Sequence, residues 1–134
     1  MGTPAENKAS YKEFIDVVLN GQDLAKVPHW TPANFVDNRH TESNGIEGTQ
    51  KFLGMVFAAF PDVKFTAEDM IAEGDKVVVR FSIVATHKGE FMGIKPTGKK
   101  VHWSGINIGR FVGHQIVELW GEADFLGLVT QLKA

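Results

Sequence analysis

Residues Lys76 to His87 read KVVVRFSIVATH, and their side chains alternate strictly. Val77, Val79, Phe81, Ile83 and Ala85 fall on one side of an extended chain. Val78, Arg80, Ser82, Val84 and Thr86 fall on the other. A period of two is the signature of a β-strand, and a strand this apolar needs partners on both edges and cover on at least one face. Candidate partners lie close by in sequence. Val63 to Ala72 precedes it across the turn Glu73-Gly74-Asp75; Lys99 to Phe111 follows a glycine-rich connection, Gly89 to Gly98; Gln115 to Trp120 follows the turn Gly113-His114. Connections this short join antiparallel neighbours.

The cover lies upstream of Pro61, where the period is helical. Thr3, Pro4 and Glu6 have the order of an N-cap, a first-turn proline and a capping-box acid, and Tyr11, Phe14, Ile15 and Val18 then share one face until Asn20-Gly21. A short helix is expected over Asp23 to Val27. A longer one follows, with Asn44 as cap, Glu47 three residues on, and Ile46, Leu53, Val56, Phe57 and Phe60 on one face. His29 to Gly45 is polar and reads as irregular. Phe125, Leu128, Val129 and Leu132 form the face of a short closing helix. Helices segregated to one side of an antiparallel sheet define an α+β fold. The expectation is a cone: a curved antiparallel sheet of about four to six strands wrapped around N-terminal helices, closed by a short C-terminal helix. The hollow of such a cone is a natural small-molecule site.

The 134 residues read as one domain, 1–134, large enough to bury a core. A net charge of −2 gives no basic footprint for nucleic acid. The absence of cysteine rules out disulfides, thiol catalysis and zinc-thiolate sites. No apolar run reaches the length of a membrane span and the first residues lack a signal-peptide core, so a cytoplasmic protein is expected. His29, His40, His87, His102 and His114 do not fall at metal-ligand spacing, so no metal is expected. Gly89 to Gly98 lacks the phosphate-loop pattern.

The residues most able to carry chemistry are few. Asp124 stands where strand gives way to helix, in ELWGEADFLGLVTQL. A pocket carboxylate there, walled by Trp120, Phe125 and Leu126, could act as a general acid or base; the alternative is a helix cap. Glu118, Trp120 and Glu122 share parity with it if the strand continues, but Gly121 is read as breaking the strand and leaving Glu122 in solvent. His102 and Arg110 share one strand face and could donate to a substrate oxygen; the alternative is a water-exposed or dimer face. Arg80 is expected to pair with Glu118. Asn38 and His40, in the irregular segment, suit a pocket mouth. Tyr11 and Phe14 face the cavity or the core.

The run from Ala58 to Phe111 together with Ile116 to Leu132 resembles the SnoaL-like polyketide (ester) cyclases of the nuclear transport factor 2-like superfamily. The most specific matches are Phe60-Pro61-Asp62, Ala72-Glu73-Gly74-Asp75, Thr86 to Gly98 and Trp120 to Leu132. The resemblance implies the cone, a pocket between helices and sheet, and a homodimer through the outer sheet face. It also implies a cofactor-free intramolecular aldol closure of a hydrophobic carbonyl-bearing substrate, with the aspartate at Asp124 as acid/base. Isomerisation, hydrolysis and non-catalytic ligand binding are alternatives in the same pocket. Related sequences often carry His-Asn-Pro or His-Asp-Pro after the aromatic matching Phe35, where this chain reads Val36-Asp37-Asn38-Arg39-His40, and often His where it has Leu119.

Overall fold

A computed structural model describes residues 2–134, the Thr41 side chain excepted. Helix α1 spans Pro4–Phe14. Its capping box is formed as the sequence predicts: Glu6 N–H donates to Thr3 Oγ1 at 3.2 Å, and Thr3 N–H donates to Glu6 Oε1 at 3.0 Å. The helix then widens into a π-helical segment, Ile15–Asn20. Asn20 ends it by clamping the next layer, with its amide donating to the Phe65 carbonyl and its oxygen accepting the Phe65 N–H. The left-handed residue after this helix is Gln22 (φ 55°), not Gly21.

A 3-10 turn, Leu24–Lys26, leads into α2, Val27–Trp30, which incorporates Pro28 in its first turn. The segment after it, expected to be irregular, contains a two-residue strand, β1 (Val36–Asp37), and a 3-10 turn, Thr41–Ser43. Helix α3 spans Gly45–Ala59. Asn44 precedes it but does not cap it through its side chain; its Oδ1 instead accepts the Asp37 N–H at 2.7 Å.

Strands β2 (Lys64–Glu73), β3 (Lys76–Thr86), β4 (Lys100–Val112) and β5 (Gln115–Ala123) follow, and α4 (Phe125–Lys133) closes the chain. Among the described residues the strands form one curved, open sheet in the order β1-β5-β4-β3-β2. The four long strands are antiparallel meander neighbours. β1 is added at the far edge, parallel to β5. Gly121 does not end β5: it pairs with Asn107, and the strand runs on to Ala123. Two bulges bend the sheet, one at Glu68 in β2 and one at Val117 in β5. An extra residue on one strand sharpens the local twist, and the sheet coils around the helices.

The predicted alternation decides which face is inside. Val77, Val79, Phe81 and Ala85 of β3 are buried with Val101, Trp103 and Phe111 of β4. One cluster packs Tyr11, Ile15 and Phe35 on Val77, Val79, Phe81, Phe111 and Leu119. A second joins Phe60, Trp103, Leu128 and Leu132. The Gly89–Gly98 connection is the turn-rich hairpin its glycines suggest, with a Phe91–Ile94 bridge around Gly93 (φ 77°). The opposite sheet face is solvent-exposed and mixed, with Ile71, Val84 and Ile106 among its side chains. Arg80 pairs there with Asp69 at 2.6 Å rather than with Glu118, since β3 and β5 are not neighbours.

Leu128 is fully buried in the second cluster, whereas Leu126, two residues earlier, is 79% exposed. Leu128→Ala should cost about 2–5 kcal/mol in chemical denaturation, and Leu126→Ala less than about 0.5 kcal/mol.

Candidate functional site

The site is built on β1. Pairing Val36 with Glu118 and Asp37 with Leu119 fixes the parity of the segment, sending Phe35 and Asp37 inward and Asn38 outward. Asp37 is only 2% exposed. Its carboxylate accepts the Arg39 backbone N–H and Nε–H on one oxygen, and Arg39 Nη2–H and Ser43 Oγ–H on the other, all at 2.9 Å. Burial pushes the Asp37 pKa up, but the hydrogen bonds and positive charge of Arg39, with help from Ser43, outweigh it and hold the carboxyl below the ordinary aspartate value. The bidentate fork also locks the guanidinium plane.

Arg39 is itself mostly covered, its side chain 24% exposed. Its stem runs past Gly121 on the inner face of β5: a Cβ there would lie 3.0 Å from Arg39 Cδ and 2.0 Å from Asn107 Oδ1. Asn107, on the inner face of β4, is buried. Two residues along the same face, the Tyr11 ring packs against Gly109, its Cε2 3.1 Å from where a Cβ would stand, and the phenol lies in the field of both Arg39 and Asp37. Burial dominates the phenol and pushes its pKa up to about 12, so it stays protonated at ordinary pH. The result is a charge-balanced Arg–Asp pair beside a neutral phenol and an amide, inside an otherwise apolar cluster.

His40 follows at the edge of this group. Its ring stacks on Phe52 of α3 (4.7 Å, 28°) and meets Phe125 of α4 edge-on (6.2 Å). It therefore marks the rim where the β1 segment, α3 and α4 converge.

The other expected residues are placed as follows. Tyr11 and Phe14 lie inside, Phe14 half-buried and edge-to-face with both Tyr11 and Trp30. His102, Arg110 and Trp120 stand on the outer sheet face, because each has the opposite parity to its buried neighbours Trp103, Phe111 and Leu119. The substrate-facing role expected of Trp120 and offered for His102 and Arg110 is corrected accordingly; His102 and Arg110 take the outer-face alternative. Arg110 and Asn38 nevertheless meet there: Arg110 Nε–H donates to Glu118 Oε1 at 3.2 Å and Asn38 Nδ2–H to Glu118 Oε2 at 3.1 Å. Asn38 thus belongs to the outer face rather than to the pocket mouth. Glu122 is exposed, although the strand passes through it.

Asp124 takes the second of its two readings. It is the N-cap of α4, its Oδ1 accepting the Gly127 N–H at 2.8 Å, and it is exposed. The buried, pocket-facing carboxylate of the first reading is absent at this position; the buried carboxylate is Asp37. Asp37, Arg39 and Asn107 were not among the expected site residues. The signal for the first two was the alternation Phe35, Asp37, Arg39, hidden because two strand residues are too short a run to show a period.

Two open depressions of about 250 and 370 Å³ lie elsewhere, around Glu6 and His114 and around Asn20 and Asp62, and include none of this cluster. Among the described residues no group of three or more His, Cys, Asp or Glu is placed to hold a metal ion, and no helix is long and apolar enough to cross a membrane.

With this geometry in place, the family model for SnoaL-like polyketide cyclases matches residues 9–132. The chain belongs to that family. Its fold is the nuclear transport factor 2-like cone. Among solved structures it is similar to AclR of Streptomyces galilaeus, a proposed hydroxylase, at 30% identity and TM-score 0.86, covering 98% of this chain and 83% of that one. TsrD of Streptomyces laurentii superposes with TM-score 0.89 at 24% identity, covering 98% of both chains. IdmH of Streptomyces antibioticus, a proposed polyketide cyclase, gives TM-score 0.80 at 25% identity over 99% of this chain and 100% of that one. No curated protein sequence matches the chain.

Two stability tests follow from the carboxylates. Because the folded Asp37 pKa is depressed, its contribution is fully present above the unfolded value of 3.8 and is lost as pH falls through the lower folded value. Asp37→Asn should therefore lose about 2–3 kcal/mol near neutral pH, and the gap to the parent should close on acidification below 3.8. Asp124→Ala should cost about 1 kcal/mol, lowering the thermal midpoint by roughly 3–5 °C.

Proposed function

We propose that this SnoaL-like protein is a small-molecule enzyme that activates a carbonyl group of a hydrophobic substrate inside the cone, for an intramolecular aldol-type cyclisation. The observation that carries the reading is the pair of donors Arg39, locked by Asp37, and the protonated Tyr11, set in apolar surroundings. Removing a proton α to a carbonyl puts negative charge on the carbonyl oxygen. Preorganised donors in a dry site stabilise that charge far better than water does. The enolate carbon then attacks a second carbonyl of the same molecule, and the proton removed at the start returns to the new alkoxide. Atoms and electrons balance within the substrate, so the closure is redox-neutral and needs no electron carrier.

The pairing of Arg39 with Asp37 also selects the charge of the substrate. The guanidinium is already neutralised, so the site has no surplus cation to match an anionic ligand. A neutral, carbonyl-bearing molecule fits it better than a carboxylate or phosphate.

For the proton itself, the resemblance to characterised cyclases points to Asp124. That carboxylate is committed to the cap of α4. His40 lies at the rim against Phe125, the next residue, and an imidazole can accept a proton at one ring nitrogen and give it from another. We assign it the acid/base role. The capping of Asp124 also favours a second reading, in which the cone holds an apolar ligand without turning it over. For the assembly we propose a homodimer covering the outer sheet face, where Ile71, Val84 and Ile106 are exposed.

Benzoylacetone, a neutral 1,3-dicarbonyl whose enolate absorbs at longer wavelength than its neutral forms, tests the carbonyl site directly. The parent protein should bind it and raise the enolate band at a pH where the free compound is neutral. Arg39→Lys, which keeps the charge but loses the fork, should weaken binding about tenfold. An unchanged spectrum with the parent protein would rule out the carbonyl reading. Binding that His40→Gln leaves intact, with no turnover of any tethered dicarbonyl by the parent, would favour the non-catalytic one. Ile106→Lys should shift sedimentation from dimer to monomer.

A further inference from the structure

The connection between β3 and β4 takes no part in the reaction scheme, yet it concentrates charge. Residues 88–100, KGEFMGIKPTGKK, hold four lysines against one glutamate, a charge of +3 in a chain whose net charge is −2, so the other residues together carry −5. Lys99 is committed, its Nζ donating to the Gln131 and Leu132 carbonyls at the end of α4. Lys88, Lys95 and Lys100 are exposed. Lys88 lies in the field of Asp62, whereas Lys95 and Lys100 form no ion pair among the described residues. The tip of the connection is apolar. Phe91 and Ile94 exchange backbone hydrogen bonds of 3.0 and 2.8 Å across a two-residue turn, Met92-Gly93, with φ of 49° and 77°. Positive φ at both central residues is the I′ hairpin turn, which favours Asn-Gly. A methionine in the first position is strained, and it packs little in return, being 67% exposed. Beneath it Phe91 and Ile94 are half-buried in the second cluster. The base is rigid: Lys88 and Gly89 N–H both donate to the Ala59 carbonyl, and the buried His87 accepts the Thr97 N–H at Nδ1 (3.2 Å).

We propose that the 88–100 hairpin docks on the surface of an anionic lipid bilayer, with Met92 entering the boundary between headgroups and acyl chains and Lys88, Lys95 and Lys100 facing the negative headgroups. The shape of the feature decides between a bilayer and an acidic protein. A specific protein interface covers about 800 Å² on each partner, and a two-residue turn presents one apolar side chain at a convex point. A bilayer asks for no matching surface. Its headgroups diffuse to the lysines, and its interface accepts a single apolar prong flanked by cations. The pinned base means that the tip needs no ordering on contact. No helix among the described residues is long and apolar enough to cross a membrane, so the contact is peripheral and reversible. A hydrophobic molecule collects in such a bilayer. Phe91 and Ile94 share their cluster with Phe125, the ring that borders His40, so docking brings that cluster to where such a molecule is found. The inference stands on the hairpin alone and on no particular reaction.

Co-sedimentation of the full chain with phosphatidylcholine vesicles, with and without about one-third phosphatidylserine, tests this. The parent protein should bind the anionic vesicles, bind pure phosphatidylcholine about tenfold less or weaker still, and be released by high salt. Lys95→Glu should lower partitioning to the anionic vesicles about thirtyfold, since it reverses one charge. Met92→Asn should lower it about tenfold while raising the thermal midpoint by roughly 1–2 °C, because asparagine suits the first position of an I′ turn. Those opposite movements separate loss of the apolar tip from damage to the fold. Met92→Gly, which is also at ease at positive φ, takes its place should the asparagine variant be less stable than the parent. Three results overturn the proposal. One is no binding of the parent to anionic vesicles at low salt, which leaves the hairpin to a protein partner. Another is equal binding to the neutral vesicles. The third is a Met92 variant that binds as tightly as the parent.

Discussion

The bond on which the interior depends is the fork between Asp37 and Arg39. An isolated guanidinium in an apolar cluster would be costly, and so would an isolated carboxylate. Each is tolerable because the other is present and because Ser43 and the Arg39 amide complete the carboxylate's set of donors. The pair in turn fixes the chain around it. Asp37 N–H takes the Asn44 side chain, and Ser43 and Gly45 offer their carbonyls to Thr49 Oγ1, so the loop before α3 is closed on itself. A two-residue strand has too few ladder bonds to hold itself on a sheet edge. Side-chain bonds within 37–49 supply the rest.

That dependence explains which parts of the molecule its sequence discloses. Strands β2 to β5 and helices α1, α3 and α4 are long enough for a period to repeat several times, and their faces could be read directly from Val77 to Ala85 or from Tyr11 to Val18. The short β1 could not. Its alternation spans Phe35, Asp37 and Arg39, three residues that also suit a polar loop, and the partner that makes it a strand lies about eighty residues away in β5. The same long-range pairing decides the site. Parity within β4 and β5 was correct for His102, Arg110 and Trp120, but periodicity does not say which face is the covered one. The helices decide that, by covering Trp103, Phe111 and Leu119.

Glycine misled the reading for a related reason. Gly121 has the local character of a strand breaker, which is how the residue behaves when it has only its own backbone to satisfy. In the folded sheet its missing side chain is space used by a neighbour, and the strand continues because Asn107 fills that space. Asn44 shows the converse. By local rules it is a helix cap, and a tertiary acceptor role at Asp37 N–H replaces that one. Asp124 kept its local role: the Gly127 amide lies within reach and no buried partner competes for the carboxylate.

These exchanges divide the polar groups of the interior. Asp37 is satisfied within the protein, by Arg39 and Ser43, and its fork fixes the plane of the guanidinium. Tyr11 is held by packing, against Phe14, Phe111 and the bare backbone of Gly109. An arrangement made of internal bonds and packing keeps its geometry without a ligand, because none of it has to be made anew when a molecule binds. It also depends on other elements than those around His40. Arg39 and Tyr11 are placed by β1, β4, β5 and α1, whereas the rings that hold His40 come from α3 and α4.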